Sequence, residues 1–393
     1  MNIQKVARDM LDDNIIPFWQ SIIDKKHGGY YGFMDINLFL DKKADKGCIL
    51  NSRILWFFSE AARILKRDDV LESAKHAYEF LLKHCMDKKH GGVFWSVTYD
   101  GKPADTTKHT YNQAFAIYAL ATYFEASGDK KALEKAMELF DLIENRFTDS
   151  GGYGETYERT ITSQEENDKL SENGIIAQRT MNTLLHVFEA YSRLYKVTGD
   201  ENVAVKMRSI LDTFINKVYN PRLKRQDVFF DKEWNNLIDL ISYGHDIESS
   251  WLVEDGANQL DSVEDRDLRK NVSNICSALA ESVYDRAFRE KSLRNECLDD
   301  VEDERRIWWV QAEAVVGFLN MAKKHPTHLK YREAAEAILV FIMEKLVDKR
   351  PGSEWLSEVM PDGSNTKERR PIVEEWKCPY HNGRMCLEII NSY

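Results

Sequence analysis

The sequence predicts an all-α protein, an (α/α)6 barrel of six helical hairpins with short β-hairpins in the loops of one rim. Three observations carry that prediction. Apolar residues recur at intervals of three and four through most of the 393 residues. The hexapeptide Asp-Lys-Lys-His-Gly-Gly is written twice, at 24–29 and 87–92, and each copy runs into aromatic residues. Related loops follow at comparable spacing, so about six units of ~65 residues, each two helices long, fill the chain.

The elements can be justified in order. The opening MNIQKVARDMLDDNIIPFW carries charges inside its apolar stretch and reads as a helix rather than a signal peptide. Helical spacing then marks 51–65, 74–85, 111–127, 132–147, 181–195, 204–219, 308–322 and 331–346. Several of these have Ala-rich faces that let neighbours approach closely. Strand-like alternation is confined to pieces such as GGVFWSVTYDG (91–101) and EWLSEVMPDG (354–363), which read as hairpins within loops. After the two DKKHGG copies, glycine-aromatic loops fall at 149, 227 and 349, with a degenerate sixth expected at SLRNECLDD (292–300). The repeated loop therefore marks one joint in successive hairpins, where paired glycines allow a tight reversal. GGYG (151–154) reads as a turn. A helical solenoid is the alternative, but it would want polar capping repeats. The last segment, WKCPYHNGRMCLEII, is instead among the most specialised, which favours a closed ring formed as one domain over 1–393.

Composition excludes several classes. The net charge of −11, with no basic run, argues against nucleic acid as a partner. No apolar stretch approaches the length that spans a membrane. The six cysteines show neither a CxxC pair nor zinc spacing, and read as reduced thiols of a cytoplasmic protein. No GxGxxG or GxxxxGK[ST] motif implies a nucleotide, so no nucleotide or redox cofactor is expected.

Ten histidines can be weighed one by one. His76 and His84 lie on a charged amphipathic helix, and His325 and His328 in a surface loop; all four read as bystanders. His27 and His90 read as solvent-exposed members of the repeated loop. His109 opens a helix and reads as a rim residue. Three remain. His186 follows Asn182 by four, placing amide and imidazole on one helical face. His245 precedes Glu248 and Trp251 by three and six, and His381 follows Trp376 in EEWKCPYHNGR. Each alone is more simply a hydrogen-bonded core histidine. Three of them, each with polar or aromatic companions, favour a site. Trp309 and Glu313, four apart, add an indole and a carboxylate, and Arg53, a turn before Trp56 and Phe57, adds a fixed cation or a structural ion pair.

Indoles beside His, Glu, Asn and Arg suit a carbohydrate, whose flat face stacks while its hydroxyls are hydrogen-bonded. Imidazole titrates near pH 6.5 and can remove a proton from the carbon next to a sugar aldehyde. The resulting enediolate needs donors already in place. Inverting that carbon needs a base on one face and an acid on the other.

Six segments give the sequence a wider likeness: 40–61, GKPADTTKHTYNQAFAIYAL (101–120), LSENGIIAQRTMNTLLHVFEAY (170–191), SYGHDIESSWL (242–252), RIWWVQAEAVVGF (306–318) and EEWKCPYHNGRMCLE (374–388). Through them it resembles the N-acylglucosamine 2-epimerase superfamily nearly end to end, with WWVQAE and WKCPYHNGRM the most specific. Within that superfamily it is similar to the members that act on β-1,4-linked disaccharides. The resemblance implies an (α/α)6 barrel that epimerises C2 of the reducing-end glucose of di- and oligosaccharides, converting cellobiose to glucosyl-mannose and lactose to epilactose. It implies His245 and His381 as the acid/base pair, His186 as the residue assisting ring opening and proton transfer at O1, and Arg53 as the enediolate-binding arginine. Tyr111, Asn182, Glu248 and Glu313 would then fix hydroxyls, and Trp308, Trp309 and Trp376 would stack on sugar. It implies no metal or nucleotide, and a monomer is expected. The alternatives are an N-acylglucosamine 2-epimerase or mannose/glucose aldose–ketose isomerase of the same superfamily, an inverting glycoside hydrolase using two carboxyls, and a non-catalytic sugar-binding protein.

Overall fold

The computed structural model describes residues 1–171 and 173–393. Thirteen α-helices occur among them, and burial sorts them into two classes. In α3 (Cys48–Leu65) nearly every side chain is buried, and in α5 (Thr110–Ser127) Thr110 through Tyr123 are buried without a break, so neither helix has an outward face. By contrast, α6 (Lys130–Arg146) buries only Ala132, Ala136, Leu139, Phe140 and Ile143, one stripe of an amphipathic helix. The first class forms an inner ring: α3, α5, α7 (Met181–Thr198), α9 (Tyr243–Asn258), α11 (Trp308–Lys324) and α13 (Tyr380–Ser392). Each packs on the next, and α13 packs back on α3, closing the ring. Outside stand α1 (Ile3–Met10) with α2 (Ile16–Ser21), then α4 (Asp68–Phe80), α6, α8 (Glu201–Thr213), α10 (Arg266–Ala287) and α12 (Leu329–Phe341).

Chain reversals from inner to outer helices are short and locally encoded. α5 and α7 end on Gly128 and Gly199, both left-handed (φ +74° and +64°), and the next residue caps the outer helix that follows. Asp129 accepts from the Lys131 amide at 2.9 Å and Asp200 from the Asn202 amide at 2.8 Å. The return connections are long, and all of them deliver the chain to the N-terminus of an inner helix. That topology puts every long loop on one rim.

The two DKKHGG copies occupy equivalent joints there. Asp24 is buried and takes an ion pair from Lys46 at 2.7 Å, while Lys46 also donates to the Gly28 carbonyl at 2.7 Å. In the second copy Lys108 stands 3.3 Å from Asp87 and 2.8 Å from the Gly91 carbonyl. Both lysines lie two residues before their inner helix, so each pair ties loop start to loop end. A Cβ on Gly29 (φ +66°) would sit 2.7 Å from the Phe80 ring and 2.8 Å from Asn51 Oδ1, which fixes glycine at that place. The fourth residue of an inner helix then reads the loop backbone. Asn51 accepts from Tyr30 N–H, Gln113 from Val93, Asp246 from Gln226 and Gln311 from Leu293. The degenerate sixth loop expected at 292–300 is thus the same joint, where Arg306, two residues before α11, donates to Ser292 Oγ at 2.8 Å in place of an Asp–Lys pair.

One expectation is extended and another changes. The short hairpins expected inside loops are present, Thr148–Asp149 with Gly152–Tyr153, Tyr219–Asn220 with Arg225–Gln226, Phe288–Arg289 with Ser292–Leu293 and Glu296–Leu298 with Val301–Asp303. Five further ladders pair between neighbouring loops. Lys46–Gly47 pairs with Ser96–Val97, Lys108–His109 with Thr156–Tyr157, and Arg179–Thr180 with Phe229–Phe230. Leu240–Ser242 joins Glu296–Leu298, Arg306–Ile307 joins Glu358–Val359, and a bridge between Met34 and Val373 links last loop to first. A belt of two- and three-residue ladders therefore girdles the rim, because the strand before each inner helix satisfies its backbone groups on the next loop. Secondly, His27 and His90 are half-buried rather than exposed, His27 because its Nδ1 lies 3.3 Å from Asp24; His109 is fully buried, beside Trp95.

Candidate active site

Every side chain singled out from the sequence lies in the first two turns of an inner helix or the residues just before one, so the ring gathers them beneath the belt. Helix N-termini carry partial positive charge, which favours an anion at this end of the barrel. From α3, Arg53 donates to the Tyr111 hydroxyl of α5 at 2.7 Å, and its guanidinium lies over the rings of Phe115, Tyr380 and Trp376 at 4.2, 5.0 and 5.7 Å. It is buried, its Nε has no hydrogen-bond partner, and no carboxylate among the described residues lies within ion-pairing distance. The structural ion pair is thereby removed as an explanation of Arg53.

The three histidines share one design. His186 Nδ1 lies 2.8 Å from Glu189 Oε2, His381 Nδ1 lies 2.7 Å from Glu313 Oε1, and His245 Nδ1 lies 2.7 Å from Ser242 Oγ. In each case Nδ1 is held from behind, and Nε2 is left as the nitrogen for chemistry. The ring of His186 packs on Tyr111 and Phe115. The His245 and His381 rings both pack on Trp309, with centroids at 4.8 and 5.4 Å, so their separation is capped at the sum of those distances. Trp308 meets His381 edge-on at 5.5 Å and is itself covered by Lys377. Asn182 lies one turn before His186, its Oδ1 buried and unpartnered.

Burial decides the direction in which His245, His381, Glu248 and Glu313 are shifted. It pulls His381 well below the usual imidazole value, with Arg384 and Arg53 pushing the same way. His245 is lowered by burial and by His186, although part of its surface stays open. Glu248 is pushed up to about 7 by burial and by Glu313, and its Oε2 has no partner. Glu313 is raised by burial against the pull of Arg384. Burial would raise Glu189 too, but Arg384 and His186 outweigh it and leave Glu189 lowered.

Sequence reasoning missed Arg384, Glu189, Tyr380 and Ser242. Arg384 is the hub: it donates to Glu189 at 2.6 Å, to Glu313 at 2.7 Å, to Glu248 and to the Tyr380 hydroxyl, and stacks over Trp251 at 4.9 Å. The only advance signal for Glu189 was its spacing of three from His186; for Arg384 it was the segment HNGR itself. Atoms of Glu248, Glu313 and His381 lie within 4.8 Å of one another, close enough to gather round a cation, and the cation there is the Arg384 guanidinium.

Fold and site together define an (α/α)6-barrel protein whose rim carries imidazoles backed by carboxylate or hydroxyl, beside a buried arginine with no counter-ion. The sequence profile of the N-acylglucosamine 2-epimerase (GlcNAc 2-epimerase) family matches residues 20–380, and the chain belongs to that family. It is 50% identical to a cellobiose 2-epimerase of Eubacterium cellulosolvens, across 99% of this chain and 98% of that one. Among solved structures it is similar to a sugar epimerase from a ruminal bacterium (46% identity, TM-score 0.96, covering 99% and 98% of the two chains). It is also similar to the cellobiose 2-epimerase of Bacillus thermoamylovorans B4167 (40% identity, TM-score 0.95, all of both chains). Among the described residues no helix is long and apolar enough to cross a membrane.

Proposed function

We propose that this protein is a cellobiose 2-epimerase, inverting C2 of the reducing-end glucose of β-1,4-linked disaccharides through a cis-enediolate. The observation that carries the reading is the pair His245 and His381. They come from different helices, pack on one indole, and are each held at Nδ1. With the sugar ring opened, with His186 assisting proton transfer at O1, one imidazole takes H2. The planar enediolate, its charge held by Arg53 and the Tyr111 hydroxyl, turns, and the other imidazole returns a proton to the opposite face. In the reverse reaction the two exchange roles. Asn182, Glu248 and Glu313 hold hydroxyls, and Trp308, Trp309 and Trp376 supply apolar faces for the sugars. Cellobiose would give glucosyl-mannose and lactose epilactose. The protein is read as a cytoplasmic monomer, its six cysteines free and buried.

An inverting glycosidase is disfavoured, because its two carboxyls stand roughly 6.5–9.5 Å apart with water between them. Glu248 and Glu313 approach within 4.8 Å and share Arg384. The test is NMR of cellobiose incubated with the protein in heavy water, where glucosyl-mannose bearing deuterium at C2 is expected. Release of free glucose would point to the glycosidase. Turnover of N-acetylmannosamine alone would move the chain to another branch of its family, and saturable binding without exchange would leave a lectin-like protein.

A further inference from the structure

We propose that Arg384 is a positioning residue that couples the two carboxylate-backed histidines, so that His186 and His381 act as one unit. The inference deepens the function proposed above and rests on it for its kinetic arm.

The geometry is that of one planar fork serving two dyads. Nη1 donates to Glu189, which backs His186; Nη2 donates to Glu313, which backs His381. Nη2 also reaches Glu248, and Nη1 the hydroxyl of Tyr380, which in turn donates to Glu189 at 2.6 Å. Arg384, Glu189, Glu248 and Glu313 are all buried, so each carboxylate depends on that guanidinium for its charge. A proton gained at one dyad weakens that carboxylate's hold on the arginine and strengthens the hold of the other. Coupled sites of this kind titrate with pKa values that belong to the pair. Lysine cannot substitute, because an ammonium is a point charge that cannot span carboxylates on α7, α9 and α11 at once.

Other charges face the unit and must be carried in any pH experiment. Arg53 faces it from α3, Tyr111 and Tyr118 from α5, and His245 from α9. Glu388, a turn further along α13, feels the arginine from below. Of these, Arg53 lowers His381 in the same sense as Arg384 does.

The experiment compares the wild type with Arg384→Lys, Glu189→Gln, Glu313→Gln and the Glu189→Gln/Glu313→Gln double variant. Imidazole ¹⁵N titrations in the absence of substrate should show His186 and His381 responding to each other in the wild type. The coupling should be lost in Arg384→Lys, with His381 moving up towards pH 6.5. On cellobiose, Arg384→Lys should lower kcat about 100-fold with KM within about threefold, and the acid limb of kcat/KM should move to higher pH. The two Gln variants should be non-additive in log kcat, because both act through one guanidinium. Independent titrations in the wild type, or additive Gln effects with an unmoved limb in a folded Arg384→Lys, would overturn the proposal. If Arg384→Lys fails to fold, the Gln cycle and the wild-type titration still decide it. If the wild type does not epimerise cellobiose, the functional reading falls while the titrations still test the coupling.

Discussion

The two ends of the inner ring are built from the same helices and treat charge in opposite ways. Towards the C-terminal end, cations and carboxylates are matched. Arg193 of α7 meets Glu125 of α5 at 2.5 Å and Glu60 of α3 at 3.4 Å, Arg63 meets Glu60 at 2.5 Å, and Lys324 of α11 meets Glu254 of α9 at 2.7 Å. At the N-terminal end, Arg53 has no carboxylate, Glu248 Oε2 and Asn182 Oδ1 have no partner, and two imidazoles sit far below their ordinary pKa. One end uses its charges to hold six helices together. The other pairs Arg384 with three carboxylates yet leaves Arg53, Asn182 Oδ1 and Glu248 Oε2 unsatisfied, at a cost in stability, for a ligand to complete.

That contrast can be broken at either end. The largest effects are expected in the proposed acid/base pair: His381→Ala and His245→Ala should each lower turnover of cellobiose by about 10²–10⁴-fold. Circular dichroism and Tm should stay near wild type; unchanged turnover would remove the pair from the mechanism. Arg53→Met should cost about 10²–10³-fold in kcat, the scale for losing one preorganised donor to an oxyanion. Because Arg53 is a buried charge with no counter-ion, its removal should leave urea stability equal or higher. A fall of several kcal/mol would show that Arg53 belongs with the structural charges.

At the opposite end the signs reverse. Arg193→Met should destabilise by about 3 kcal/mol, since it removes a main partner of buried Glu60 and half-buried Glu125, while kcat of the folded fraction stays within about twofold. Glu60 sharpens this through pH. Burial would raise its pKa, but Arg193 and Arg63 outweigh it and hold it at about 2. A depressed carboxylate contributes stability that is complete above its unfolded value near 4.5 and is lost as pH falls towards 2. Urea midpoints measured between pH 5 and 2.5 should therefore fall less steeply in Glu60→Gln. The smallest effect concerns the site: with both imidazoles lowered, the acid limb of the wild-type kcat/KM profile should lie below pH 6.5. A limb at or above 6.5 would mean that substrate meets histidines far more solvated than these.

The repeat comparison shows how much was legible and where legibility stopped. Inner and outer helices differ in sequence because an all-round apolar helix must be inside and a one-sided one outside, so α5 and α6 can be told apart by pattern alone. The twice-written hexapeptide located the rim correctly. It also invited reading His27 and His90 as solvated, whereas the buried partner of the joint is the aspartate, tied to a lysine some twenty residues on. The local hairpins were legible, but the belt of ladders between loops was not, since strands of two or three residues have no periodicity to betray a distant partner. At the candidate site, Tyr111, Asn182, His186, His245 and His381 were named from the sequence and lie together at one end of the ring. The backing groups were harder: Ser242 and Glu189 lie within three residues of their histidines, but Glu313 and Arg384 reach theirs only across helices.

What the sequence determined by itself is whatever depends on neighbours along the chain. It set the helices, their Gly-Asp reversals at 128–129 and 199–200, the six-fold count, and the identity of the imidazoles. Tertiary structure alone decided that Arg53 would stand without a counter-ion, that two rings would share Trp309, and that one guanidinium would serve carboxylates from three helices. The reason is that desolvation and charge pairing depend on distances in space between residues up to about two hundred positions apart, and closing the ring is what sets those distances.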